Sequence, residues 1–261
     1  MLTRNQEKLI LQAHSRHGRR KAGFFLAEGL RCCEEGIRRR AGELEFAVGS
    51  RSFAESAEGA PLCTLLRDAG KPLVVVPDEN FAKFAATENP QGILCLFRAF
   101  AEPAPLVKLA DPFALVLDRV MEPGNLGTIL RTAWAVGLRE VWYTAGSTDA
   151  FGPKAIRAGM GAQFALNLRA FADLAEVRDT LRALNGGRLW CSVPGQGVNC
   201  FSAEFALAGG ALVIGNEANG VQAVAGADFV TIPMPGQAES LNAAQAATIL
   251  IFDAVRRGIL Q

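Results

Sequence analysis

Histidine is nearly absent from this chain: its 261 residues include two, His14 and His17, both close to the N-terminus. Everything after them lacks an imidazole for a metal site or a serine–histidine pair, which excludes many hydrolase mechanisms. Long apolar runs are missing too. None approaches the roughly 20 residues a membrane span needs, and Met1-Leu2-Thr3-Arg4-Asn5-Gln6 leads into no signal-like segment. The expectation is a cytoplasmic protein with no membrane partner. The six cysteines, Cys32, Cys33, Cys63, Cys95, Cys191 and Cys200, form no C-x-x-C pair and mostly sit among apolar residues. Buried reduced thiols are expected, not a disulfide framework or a metal centre. Charge of one sign is also lacking: 27 Lys and Arg against 26 Asp and Glu leave +1, too little to coat nucleic acid by mass attraction.

What is present is ample core material, half the composition being hydrophobic, enough for two modest domains. The spacer Ala101-Glu102-Pro103-Ala104-Pro105 marks the boundary, because two prolines two residues apart favour extended, semi-rigid chain. The division expected is 1–100, a linker at 101–110, and 111–261.

In the first part, the sequence predicts a helix over 3–13, a loop through the basic segment His14 to Lys21, and a helix from Glu28 to Arg40. Strands at 44–48, 73–76 and 93–97 then alternate with helices at 61–69 and 79–86, which implies a sheet covered by helices. In the second part, apolar strands are predicted at 113–117, 140–143, 164–168, 189–193, 211–214 and 229–232. Such continuous apolar strands mean a mostly parallel sheet with helices on both faces, whose ligands lie beyond the carboxyl ends of the strands.

Three loops follow strands of that sheet and can converge on one edge. The first runs from Asp118 to Arg131, with Pro123-Gly124 as the turn, Asn125 near a helix start and Arg131 inside the helix. Asn125 and Arg131, six apart, are expected to share a face; Arg131 suits either a surface ion pair or a phosphate contact. The second is Gly215-Asn216-Glu217-Ala218-Asn219-Gly220, where two glycines around a polar core allow close backbone approach. It is not G-x-G-x-x-G, which disfavours a nucleotide-binding dehydrogenase. The third is Ile232-Pro233-Met234-Pro235-Gly236-Gln237-Ala238-Glu239-Ser240-Leu241-Asn242. Its prolines and glycine shape a stiff loop, and Ser240 and Asn242 suit helix capping as well as a ligand site. The basic cluster containing Arg16, Arg19, Arg20 and Lys21 reads equally as a solvated face or a phosphate-binding patch.

In order and spacing these loops resemble the three motifs of the SpoU/TrmH branch of the SPOUT-class RNA 2′-O-ribose methyltransferases, over residues 113–257. Pro123 to Thr132 is similar to the first motif, Ile214-Gly215-Asn216-Glu217 with Gly220 to the second, and Ile232-Pro233-Met234 with Ser240-Leu241-Asn242 to the third. Gly152-Pro153-Lys154 to Gly161-Ala162 matches the intervening segment. The first part, through Ala22 to Gly29 and Pro90-Gln91-Gly92-Ile93, resembles the substrate-binding domain of such enzymes, an α/β fold like that of certain ribosomal proteins.

The resemblance implies a C-terminal trefoil knot, S-adenosylmethionine as cofactor, no metal, and a homodimer formed through the C-terminal domain. It implies catalytic roles for Arg131, Asn125, Glu217, Ser240 and Asn242, and a cofactor site at Gly215, Asn216, Glu217, Ile232, Met234 and Leu241. The expected activity is 2′-O-methylation of structured RNA, ribosomal RNA ahead of transfer RNA. A non-catalytic RNA-binding or ribosome assembly factor on the same fold is the alternative from a different class.

Overall fold

The computed structural model describes every residue except Glu217, Ala218 and Gln261. The chain forms two compact units, one of residues 1–101 and 149–165, the other of residues 102–148 and 166–261.

The first unit begins with helix α1 (Arg4–Ala13), closed at its start by a capping box between Thr3 and Gln6. Helix α2 (Arg16–Ala22) follows, then strand β1 (Phe24–Glu28), α3 (Leu30–Arg40), β2 (Leu44–Ser50), α4 (Arg51–Glu55), α5 (Ala60–Asp68), β3 (Leu73–Val76), α6 (Asp78–Phe81) and β4 (Ile93–Arg98). The four strands lie in the order β1-β4-β2-β3. Strand β4 is antiparallel to both neighbours, and β3 is parallel to β2.

Local expectations fail here in four places, two for local reasons and two for tertiary ones. The basic segment is a helix, not a loop, because Ser15 caps it by accepting from Gly18 N–H at 3.0 Å and Gly23 ends it at φ 72°. Gly18 is glycine for lack of room: a Cβ there would meet the Gln12 carbonyl oxygen at 2.1 Å. Glu28 ends a strand instead of opening a helix, since Gly29, at φ 94°, turns the chain between them. Helix α6 stops after four residues, because the chain beyond it turns to the buried Glu28 carboxylate, which accepts from Ala86 N–H at 2.6 Å and from the Thr87 hydroxyl.

The fourth concerns residues 149–165, read from sequence as part of the second domain, which pack in the first unit. They carry helix α8 (Pro153–Gly159) and a short 3-10 turn at Ala162–Phe164. Phe151 and Phe164 join Phe25, Phe97 and Phe100 in one aromatic cluster, with Phe97 and Phe164 centroids 4.7 Å apart. The expected strand at 164–168 is therefore displaced to 167–171.

The second unit contains β5 (Ala114–Leu117), α7 (Pro123–Ala135), β6 (Glu140–Thr144), β7 (Asn167–Phe171), α9 (Leu174–Ala183), β8 (Leu189–Ser192), β9 (Val198–Asn199), β10 (Ala211–Ile214), β11 (Asp228–Thr231) and α10 (Ala243–Arg256). Its seven strands form a wholly parallel sheet in the order β7-β6-β5-β10-β8-β11-β9. The central strands β5 and β10 are buried at every position, as a sheet covered on both faces requires. One face packs Val116, Trp142, Cys191 and Val213 against Leu174, Val177 and Leu181 of α9. Each such side chain contributes about 1.5–3 kcal/mol by leaving water.

Candidate active site

Order in the sheet decides which loops meet. Strands β5, β10, β8 and β11 are successive neighbours and all parallel, so the loops leaving their carboxyl ends share one edge. A cavity of about 310 Å³ opens there, lined by Ser192 at the end of β8 with Val193 and Pro194 beyond it, by Ile214 at the end of β10 with Gly215, Asn216 and Gly220 beyond it, and by Ile232, Met234, Glu239, Ser240 and Leu241 after β11. The start of α10 closes it with Ala243 and Ala246. Its size falls near the lower end of the roughly 300–1,000 Å³ typical of small-molecule sites.

Of the residues expected at a cofactor, Gly215, Asn216, Ile232, Met234 and Leu241 all line this cavity, as does Ser240. Glu217 lies outside the described residues. A shallower groove adjoins the cavity, sharing Leu241 with it and lined by Asn125, Thr128, Asn242 and Thr248. Here Asn242 Nδ2 donates to Asn125 Oδ1 at 2.9 Å, joining the start of α10 to the start of α7. Asn242 also caps α10 by accepting from Ala244 N–H at 2.9 Å. Capping and a site position thus coexist in one side chain.

Arg131 does not share a face with Asn125. Six helical residues leave them about 120° apart around the axis, and it is Thr132 that follows Asn125 on the inner face, pairing its hydroxyl with that of Thr248 at 3.2 Å. Arg131 is exposed and, among the described residues, makes no hydrogen bond or ion pair. It is available to a ligand.

Two features escaped the sequence reading. The turn Ser192-Val193-Pro194 forms one wall, and the only signal for it was its position after an apolar strand. The other is Asp118, the residue after β5, which is fully buried. Its Oδ1 accepts from the Thr144 hydroxyl at 2.7 Å and its Oδ2 from Gln222 N–H at 2.8 Å. Arg119, next to it, adopts φ 52°, and its carbonyl accepts from Asn216 Nδ2 at 2.9 Å. Burial together with the charges of Asp118 and Asp228 pushes the Cys191 thiol up to about 12, so no thiolate nucleophile is offered beside the cavity.

The basic cluster of the first unit divides. Arg16, Arg20 and Lys21 are exposed on α2. Arg19, expected among the RNA-binding residues, is turned inward: it is buried, its Nη2 pairs with Asp149 at 2.6 Å, and its Nη1 donates to the carbonyls of Ala13 and His14.

A parallel sheet with a cavity at its carboxyl edge, stiff apolar loops and an asparagine pair beside it defines an enzyme that binds a small cofactor next to a larger substrate. The chain belongs to the SpoU rRNA methylase family, whose model matches residues 112–252; the MRM3-like substrate binding domain matches residues 5–95. It is accordingly an RNA 2′-O-methyltransferase that uses S-adenosylmethionine.

A 23S rRNA (guanosine(2553)-2′-O)-methyltransferase of Bacillus subtilis is 31% identical over 92% of this chain and 91% of its own. Among solved structures, a SpoU methyltransferase of Streptomyces viridochromogenes in complex with S-adenosylmethionine superimposes with a TM-score of 0.81 at 25% identity, covering 98% of this chain and 99% of its own. An S-adenosylmethionine-bound rRNA methyltransferase of Sinorhizobium meliloti gives 0.78 at 27% identity, over 100% and 97%.

The residues present fit this cofactor. Ile232, Met234 and Leu241 offer apolar surface for an adenosine ring, and the Gly215 backbone and the exposed Ser240 hydroxyl can meet its polar ends, while the buried Asn216 shapes the wall between them.

Proposed function

We propose that this protein methylates a ribose 2′-hydroxyl of structured ribosomal RNA, with the cofactor in the cavity between the loops after β8, β10 and β11. The observation that carries the reading is that Leu241 borders both this cavity and the groove of Asn125 and Asn242. A ligand in the first lies one residue from the polar pair in the second. Ribosomal RNA is favoured because the Bacillus subtilis and Sinorhizobium meliloti relatives bear that substrate in their names and because the first unit matches a substrate-binding domain.

S-adenosylmethionine supplies a methyl group on a sulfonium, and its transfer demands alignment more than acid strength. The stiff Ile232 to Leu241 loop orients the methionine end, and Asn125, held by Asn242, orients the ribose. Arg131 would anchor the adjacent phosphate and stabilise the charge developing on the ribose oxygen as it takes the methyl group, the hydroxyl proton passing to solvent water and the sulfur departing as a neutral thioether; that role suits a group that stays protonated. Glu217 and Ser240 complete the site on the strength of their motif positions.

The same reading includes a homodimer through the C-terminal domain, supported by the exposure of Phe252 and Val255 on α10 and by the exposed Arg131 on the outer face of α7. It includes a trefoil knot, supported by the strand order, in which the chain leaves β8 for the edge, returns inside it to β10 and crosses out again to β11. We place the enzyme in the cytoplasm, in keeping with its six free cysteines, with the unit of residues 1–101 and 149–165 binding RNA and the unit of residues 102–148 and 166–261 carrying the methyltransferase site. Arg16, Arg20 and Lys21 contact the RNA backbone.

Mapping 2′-O-methylation in cells with and without the gene tests this. Loss of a ribosomal RNA site is expected. Loss of a transfer RNA site instead would move the substrate, and no loss in any RNA would favour the assembly-factor reading.

A further inference from the structure

A fully buried carboxylate that belongs to no binding surface needs a reason, because desolvating its charge is costly unless every lone pair is well used. Asp118 is such a group. It stands at the carboxyl end of β5 and lines neither the cavity nor the groove.

Its two oxygens hold different pieces of chain. Oδ1 takes the hydroxyl of Thr144, the last residue of β6, and that same hydroxyl oxygen accepts from Arg119 N–H at 3.1 Å. Oδ2 takes Gln222 N–H, just beyond the loop after β10, and lies 3.6 Å from Arg119 Nε. Among the described residues that buried Nε has no hydrogen-bond partner, and the Asp118 carboxylate compensates its charge. The Arg119 side chain is confined from the far side as well, where a Cβ on Gly146 would approach its Cγ to 3.1 Å.

These contacts fix Arg119 in a left-handed backbone conformation, which is strained for a non-glycine residue and persists only when the surroundings over-determine it. The conformation has one visible product. It points the Arg119 carbonyl at Asn216 Nδ2, and Asn216 in turn closes the loop after β10, exchanging backbone hydrogen bonds with Gly220 in both directions and accepting from Asn219 N–H on its side chain. Asn216 and Gly220 both line the cavity.

We propose that Asp118 is a positioning residue for the cofactor: through the strained backbone of Arg119 it sets Asn216, and with it the wall formed by the loop after β10. This rests on the reading that S-adenosylmethionine occupies that cavity. An amide at position 118 would present an N–H₂ group to one of two donors, Thr144 or Gln222, and would remove the charge that Asp118 sets 3.6 Å from Arg119 Nε. The strained turn would then relax, and Asn216 would lose its acceptor.

Isothermal titration of the full-length protein with S-adenosylmethionine tests the proposal. Wild-type protein that binds nothing would overturn the cofactor site itself. Given wild-type binding, Asp118→Asn is expected to raise Kd about tenfold; an unchanged Kd would overturn the positioning role alone. A purely structural role is separated by the double-mutant cycle with Asn216→Ala. In that background Asp118→Asn is expected to change Kd less than twofold, whereas a persisting tenfold effect would show that Asp118 does not act through Asn216. Should Asp118→Asn not fold, Thr144→Val and Thr144→Ser replace it. The valine, without the hydroxyl, is expected to weaken binding and the serine to preserve it; equal Kd values for the two would overturn the proposal.

Discussion

Asn242 Nδ2 donates a hydrogen bond to Asn125 Oδ1 across 117 residues of sequence. It ties the first turn of the C-terminal helix to the first turn of the helix after β5, beside the cavity. Because each side chain fixes the other, Asn125→Ala and Asn242→Ala should lower kcat/KM by similar amounts, roughly 100-fold, the scale of a misplaced reacting geometry. Their effects should be far from additive in the double variant. Asn242→Ala should in addition lose about 1 kcal/mol of stability with its cap, measured by urea unfolding. Fully additive kinetics would contradict the pairing.

Arg131 offers two separable properties, its charge and its planar fork. Arg131→Ala should slow methyl transfer roughly 100- to 1,000-fold, as when a donor to a developing oxyanion is removed. Arg131→Lys keeps the charge and loses the planar fork. A rate near that of the wild type in single-turnover assays would sink any need for the fork; a rate near that of the alanine variant would establish it.

Gly215 has no room for a side chain: a Cβ would stand 2.6 Å from the Gly220 carbonyl carbon and the Val221 nitrogen. Gly215→Ala should displace the loop after β10 and weaken S-adenosylmethionine binding by at least tenfold while the first unit remains folded. Titration calorimetry and circular dichroism check the two halves of that statement.

The basic helix α2 predicts a split result. Arg19→Ala removes one partner of a buried ion pair and should cost about 3 kcal/mol of stability. Arg16→Ala, Arg20→Ala and Lys21→Ala should leave stability unchanged and reduce the salt dependence of RNA binding, by about one unit of slope for each phosphate no longer neutralised. Filter binding over a salt series distinguishes them.

Alkaline pH should destabilise the fold through its thiols. Burial raises Cys32 and Cys200 to about 11 and Cys191 to about 12. These thiols lose their protons in the unfolded chain near pH 9 but keep them when folded. The unfolded state therefore binds fewer protons above pH 9, and stability falls as pH rises from there towards 11. Cys191→Ala should flatten that decline in urea midpoints, and an unaltered slope would contradict it.

The parallel sheet and its three site loops were legible because they depend on local signals: uninterrupted apolar strands, then glycine, proline and asparagine where the chain turns. Features made by distant residues were not legible. The burial of Arg19 within the basic segment is not legible because its partner, Asp149, lies 130 residues away, and the early stop of α6 is not because Glu28 captures the chain beyond it from 58 residues off. The shared face of Asn125 and Arg131 failed on helical geometry alone, since seven residues return to a face and six do not. Asp118 was visible as a carboxylate after an apolar strand, but its importance depends on Thr144 and Gln222, which no spacing connects.

The destination of the methyl group decides the function. Ribosomal RNA from cells lacking the gene, incubated with the purified protein and S-adenosylmethionine labelled in its methyl group, should take up label at one position. Alkaline hydrolysis needs a free 2′-hydroxyl, so the label should be recovered in an alkali-resistant dinucleotide. Label released in mononucleotides would mean methylation of a base, and no incorporation would mean no transfer; either result would contradict ribose 2′-O-methylation of ribosomal RNA by this protein.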